Sequence, residues 1–133
     1  MAITLDGTVG ITTADIAATT LTVDAGFGSN ATAYGVRAWV NFNGTGTVAI
    51  RDSGNVSSIT DNGTGNYTAN FTTNMPDANY SAVVTGAFSD TALTSSSTCF
   101  TCRDLATTSV RVTGAGTNNT GFDMLRMCVS IFR

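Results

Sequence analysis

One stretch, Tyr34 to Phe71, limits what this chain can fold into more than any other. In Val36-Arg37-Ala38-Trp39-Val40-Asn41-Phe42 the side chains alternate in character. Val36, Ala38, Val40 and Phe42 fall on one face, and Arg37, Trp39 and Asn41 on the other. A period of two is the signature of a half-buried β-strand. Three further strands come after it. Val48 and Ile50 oppose Ala49 and Arg51; Val56 to Thr60 is more polar; Tyr67, Ala69 and Phe71 oppose Thr68, Asn70 and Thr72. The intervening Gly44–Gly46, Asp52–Asn55 and Asp61–Gly65 are turns, since Asp, Asn and Gly suit local hydrogen bonds and positive φ.

The rest of the chain continues the pattern. Met75 to Asn79 is a turn in which Pro76 pre-sets φ. Tyr80, Ala82 and Val84 alternate with Ser81, Val83 and Thr85; both faces are rather apolar, which predicts a central strand. Leu93 to Cys102 reads as a loop by composition. Val110 and Val112 flank Arg111 in a further strand, and Gly114 to Gly121 reads as a flexible loop. From Phe122 to Phe132, Leu125, Met127, Val129 and Ile131 share one face; Met124, Arg126, Cys128 and Ser130 share the other. So apolar a strand must be paired inside a sheet.

Residues 1–33 carry few large apolar side chains. Short β segments are expected near Val9–Ile11 and Thr20–Val23, one helical turn over Ala14–Ala18, and a loop over Asp24–Ala33. The expected organisation is therefore an N-terminal arm, 1–33, for docking or subunit wrapping, and a domain, 34–133. About seven strands at 8–12-residue spacing predict an all-β, antiparallel β-sandwich, jelly-roll-like, with no helix longer than a turn.

Composition narrows the function. Charged residues are 11% of the 133, with no Lys, Glu or His, well below the roughly 25% of ordinary soluble domains. The surface must be made from Thr, Ser, Asn and Gly, which repels its own copies weakly and suits self-assembly. The six Arg are scattered, so no basic patch invites nucleic acid. No apolar run approaches the ~20 residues that span a membrane, and the opening residues have no signal-peptide pattern. Cytosolic synthesis and reduced thiols are expected.

Two stretches carry a resemblance. Ile3-Thr4-Leu5-Asp6-Gly7-Thr8-Val9-Gly10-Ile11-Thr12 is similar to the openings of many phage tail-fibre proteins. Ala38 to Gly46, Ile50 to Val56, Tyr67 to Phe71 and Met75 to Tyr80 together resemble a β-rich module of phage fibre-like proteins, notably in phages of marine bacteria. The matches cover about two thirds of the chain. The resemblance implies a bacteriophage virion structural protein, a homotrimeric fibre- or knob-like appendage assembled in the host cytoplasm. Its arm would join other virion proteins and its β-domain would face outward for host-surface attachment. The chain is short for a shafted fibre, so a capsid decoration protein is the runner-up.

The resemblance implies no catalytic residues, and the residues offer little chemistry of their own. Cys99-Phe100-Thr101-Cys102 with Cys128 gives three thiols without His, short of the four ligands of a structural zinc site. Asp61 to Asn66 is a turn without the closing Glu of a calcium loop. The usual general bases are absent. No enzyme, metal or cofactor is expected; a glycan-degrading tailspike fragment would have to rely on carboxylates such as Asp61 or Asp104. Trp39 and Arg37, on the polar face of their strand, are the candidate subunit interface or glycan contact, the interface being favoured because exposed aromatics concentrate there. A monomeric carbohydrate-binding module is the alternative. Ser96, Thr98, Asn118 and Asn119 mark candidate exposed tip loops that could touch a host glycan.

Overall fold

The structure is a computed structural model, and it describes residues 22–23, 31–32, 35–88, 98–116 and 118–133. The chain divides into two compact units, 1–33 and 34–133. In the first, β1 (Thr22–Val23) pairs antiparallel with β2 (Ala31–Thr32). Ala31 and Thr32 are thus strand rather than loop. The expected segments at Val9–Ile11 and Ala14–Ala18 lie outside the described residues.

The second unit is an antiparallel β-sandwich. Its eight strands are β3 (Val36–Asn43), β4 (Ala49–Gly54), β5 (Val56–Asp61), β6 (Asn66–Phe71), β7 (Ser81–Ala87), β8 (Thr98–Arg103), β9 (Ser109–Gly116) and β10 (Arg126–Phe132). One sheet has the order β4-β3-β10-β7 and the other β5-β6-β9-β8. No helix occurs among the described residues.

Alternation builds the core between them. Ala38, Val40 and Phe42 from β3 and Met127, Val129 and Ile131 from β10 meet Tyr67, Ala69 and Phe71 from β6 and Val110 and Val112 from β9. Removing a large side chain from such a layer costs about 3–5 kcal/mol. Tyr67 ties one end together. Its ring packs edge-on to Phe42 at 5.2 Å. Its hydroxyl lies 2.6 Å from Asp123 Oδ1 and 2.9 Å from the Gly44 carbonyl, while Gly65 N–H donates to the same Asp123 oxygen at 2.8 Å. Burial, then the hydrogen bond to Asp123, raises the Tyr67 pKa above its ordinary value. Gly65 is required there: its φ is +67°, and a Cβ would strike the Gly114 carbonyl.

Five expectations are corrected. Residues 52–54 belong to β4, not to a turn. Between β4 and β5 the chain passes from one sheet to the other through a single residue, Asn55, with φ +58°. Its side-chain amide bridges the Arg37 and Thr73 carbonyls, each at 3.1 Å, and accepts from Thr73 N–H at 2.7 Å. Second, β7 is an edge strand, not a central one. Third, β8 occupies part of the supposed loop 93–102, held by six register pairs with β9. Fourth, β9 continues through Gly116, so Gly114–Gly116 is strand. Fifth, β10 begins at Arg126; Met124 precedes it and is buried with the core, not turned to the opposite face.

Candidate functional site

The outer face of β3-β10-β7 is unusually apolar. Ser130 of β10 is the register partner of both Trp39 and Val83. Trp39, Ser130 and Val83 therefore form one row across three strands. A second row is Val36, Phe132 and Ser81. Trp39 is 40% exposed, Val36 51%, Val83 50% and Phe132 37%. A shallow hollow is lined by Val36, Trp39, Asn41, Cys128 and Ser130, and Phe132 borders a second with Asn79, Ser81 and Arg133.

Two local features make this surface. Gly54 on β4 is the register partner of Trp39, and a Cβ at Gly54 would collide with the indole Nε1 and Cδ1. The missing side chain lets the ring lie down over the neighbouring strand, a cross-strand aromatic–glycine pairing. The second feature is a bulge. Ile131 pairs with Ala38 and Phe132 with Val36, so Arg37 is the extra residue on β3. A bulge re-aims the side chains beside it. Val36, placed by sequence on the inner face with Ala38, is turned outward beside Trp39.

Asn41 adds a polar note. Its Oδ1 is closed to solvent and has no hydrogen-bond donor. An unsatisfied buried acceptor costs about 1–3 kcal/mol.

The outer face of the other sheet is polar and largely satisfied within itself. Asn70 donates to the Ser58 and Thr60 hydroxyls, each at 3.0 Å. Asn62 donates to Thr68 at 2.8 Å. Arg111 donates to Asn66 at 2.8 Å and to Asp104 at 3.1 Å.

The residues singled out by sequence are thus dispersed. Trp39 and Arg37 sit on the β3 face, both exposed. Thr98 is not in a tip loop but in β8, paired with Gly116. Asn118 and Asn119 are exposed in the turn after β9, Asn119 with φ +62°. Ser96 lies outside the described residues. Sequence reasoning missed Val83 and Phe132 as surface residues; two apolar faces on one short strand were the available signal. Asp61 caps its own hairpin, accepting from Gly63 N–H at 2.9 Å. Cys99, Cys102 and Cys128 are free thiols, and burial raises the Cys102 pKa. Among the described residues no three His, Cys, Asp or Glu side chains gather as metal ligands, and no helix is long and apolar enough to cross a membrane. Comparison with protein-family models, with curated proteins and with solved structures returns no match.

Proposed function

We propose that this protein is a structural subunit of a bacteriophage virion. It assembles as a homotrimer through the outer face of β3-β10-β7 into a small fibre- or knob-like appendage for host-surface attachment. The arm, 1–33, joins it to other virion proteins. The virion assignment rests on the resemblance of Ile3–Thr12 and of Ala38–Gly46, Ile50–Val56, Tyr67–Phe71 and Met75–Tyr80 to fibre-like proteins.

The observation that carries assembly is the two adjacent rows that hold Trp39 and Val83, and Val36 and Phe132, on one sheet face. Contiguous apolar surface of this kind marks interaction sites. Aromatic residues are enriched and charged ones depleted at the centre of such contacts; Val36, Trp39, Val83 and Phe132 are uncharged, with Arg37 exposed on the same strand as Trp39. The unsatisfied Asn41 acceptor gives an incoming subunit a polar group to meet if the amide turns.

Trp39 alone would favour a monomeric carbohydrate-binding module, since an indole lying on a sheet is a stacking plate. Asn41 and Ser130 beside it could meet a sugar, but the larger exposed side chains around it, Val36, Val83 and Phe132, are apolar, and this weighs for a protein partner. Native mass spectrometry tests the assembly: the expected species is three times the 13.6 kDa chain. A monomer at micromolar concentration overturns it. Proteomics of purified particles tests the virion assignment, the expected result being the chain in fixed proportion to the major virion proteins.

A further inference from the structure

The opposite sheet carries a second surface feature. Along β8 the outward residues are Cys99, Thr101 and Arg103; their register partners on β9 are Ala115, Thr113 and Arg111. A hollow of about 250 Å³ opens over them, lined by Cys99, Thr101, Arg103, Thr113, Ala115, Gly116 and Asn119. Thr113 is the buried polar residue among the described ones, 9% exposed. Its Oγ1 lies 2.5 Å from Thr101 Oγ1 and accepts from Arg103 at 3.3 Å.

The two arginines across this pair of strands are not equivalent. Arg111 is neutralised by Asp104 and also holds Asn66. Asp104 takes φ +48° at the start of the turn after β8, and its carboxylate pairs with Arg111 rather than with its chain neighbour Arg103. No carboxylate of the described residues pairs with Arg103; its guanidinium reaches only the Thr113 hydroxyl. In a chain of net charge −3, a cation is left over at the rim of a hollow lined by two hydroxyls and a carboxamide.

We infer that this hollow is a subsite for a carboxylate-bearing saccharide. A guanidinium fork matches a carboxylate with two parallel hydrogen bonds. The exposed Thr101 hydroxyl and the Asn119 amide can donate and accept, as ring hydroxyls require, while the buried Thr113 hydroxyl holds Thr101 and Arg103 in place. The Ala115 methyl and the Gly116 backbone offer a small apolar floor. The volume lies below the ~300–1,000 Å³ of pockets for drug-sized ligands and suits one sugar unit of a longer chain. The inference rests on the host-attachment reading for its biological meaning but not for its chemistry.

The test is saturation-transfer NMR and titration calorimetry on the full chain, with sialyllactose, a glucuronate-containing tetrasaccharide, lactose and sodium acetate as probes. One of the two acidic saccharides is expected to bind at least tenfold more tightly than lactose and acetate, and the two arms identify whether the acid is a sialic or a uronic one. Arg103→Gln, which keeps side-chain length and loses the charge, is expected to weaken binding at least tenfold with an unchanged circular-dichroism spectrum. Thr101→Val gives a second, less intrusive loss of several-fold. Equal binding of acetate and the acidic sugars, binding that ignores Arg103→Gln, or no saturation transfer from either acidic sugar each overturns the inference. A trimer that binds neither sugar removes the subsite and leaves assembly standing; a monomer that binds does the reverse.

Discussion

The outer faces of the two sheets share one backbone architecture and carry opposite side chains. On β3-β10-β7 the outward positions hold Trp39, Val83 and Phe132, with Val36 turned to join them. On β5-β6-β9-β8 they hold Ser58, Thr60, Thr68, Asn70, Arg111 and Thr113, linked by side-chain hydrogen bonds. The inner faces are equally apolar, so core formation does not explain the difference. An outward apolar residue gains only in part in an isolated sandwich, because Trp39, Val36, Val83 and Phe132 each keep between 37% and 51% of their surface in water. It gains the rest when something covers it. The polar face has no such need, and its hydrogen bonds close on themselves except at Arg103, which keeps a guanidinium without a carboxylate among the described residues.

The largest expected effect comes from charging the apolar face. Trp39→Asp with Val83→Asp should convert the proposed trimer to monomer, a loss of at least about 2 kcal/mol of association for a central aromatic, read by analytical ultracentrifugation with an unchanged far-ultraviolet spectrum. Persistence of the trimer would break the comparison.

The next effect is set by pH and acts on the core both faces share. The folded-state pKa values of Tyr67 and Tyr80 are raised, in each case mainly by burial. Their contribution to stability is fully present below about pH 10, the ordinary tyrosine value, and is lost as pH rises above it. The unfolding free energy should begin to fall above about pH 9, where the buried Cys102 thiol would ionise in the unfolded chain, and above about pH 10 by up to about 1.4 kcal/mol more per pH unit for each tyrosine still protonated in the fold. Tyr67→Phe should make the fall shallower.

Asn41→Leu sharpens the comparison from the other side. Removing the unsatisfied acceptor should raise the stability of the monomer, made with the two Asp substitutions, by about 1 kcal/mol. The smallest effect is expected on the polar face. Ser58→Asp should change stability by less than about 0.5 kcal/mol and leave the mass of the assembly untouched.

How far the fold can be read from sequence obeys the same division. Strands with one clean apolar face are legible: Ala38, Val40 and Phe42, Tyr67 to Phe71, and Met127 to Ile131. So is the outward position of Trp39. Val36 is not, because the bulge at Arg37 is imposed by pairing with β10, some ninety residues away in sequence. β7 reads as central since Val83 is apolar; an apolar outer face on an edge strand looks locally like burial on both sides. β8 is hidden because its inward residues, Phe100 and Cys102, are only partly buried, while its outward ones, Thr101 and Arg103, belong equally to loops. The Arg103 hollow is illegible for the same reason: it exists only once β8 and β9 are in register.

Asn55 has a mechanical consequence. One residue carries the chain from β4 to β5, and its side chain clasps Arg37 and Thr73 at the same corner. The two layers are thereby joined by a strut without slack. A tug on β4 is passed to β5, and so to the other layer, through the backbone itself.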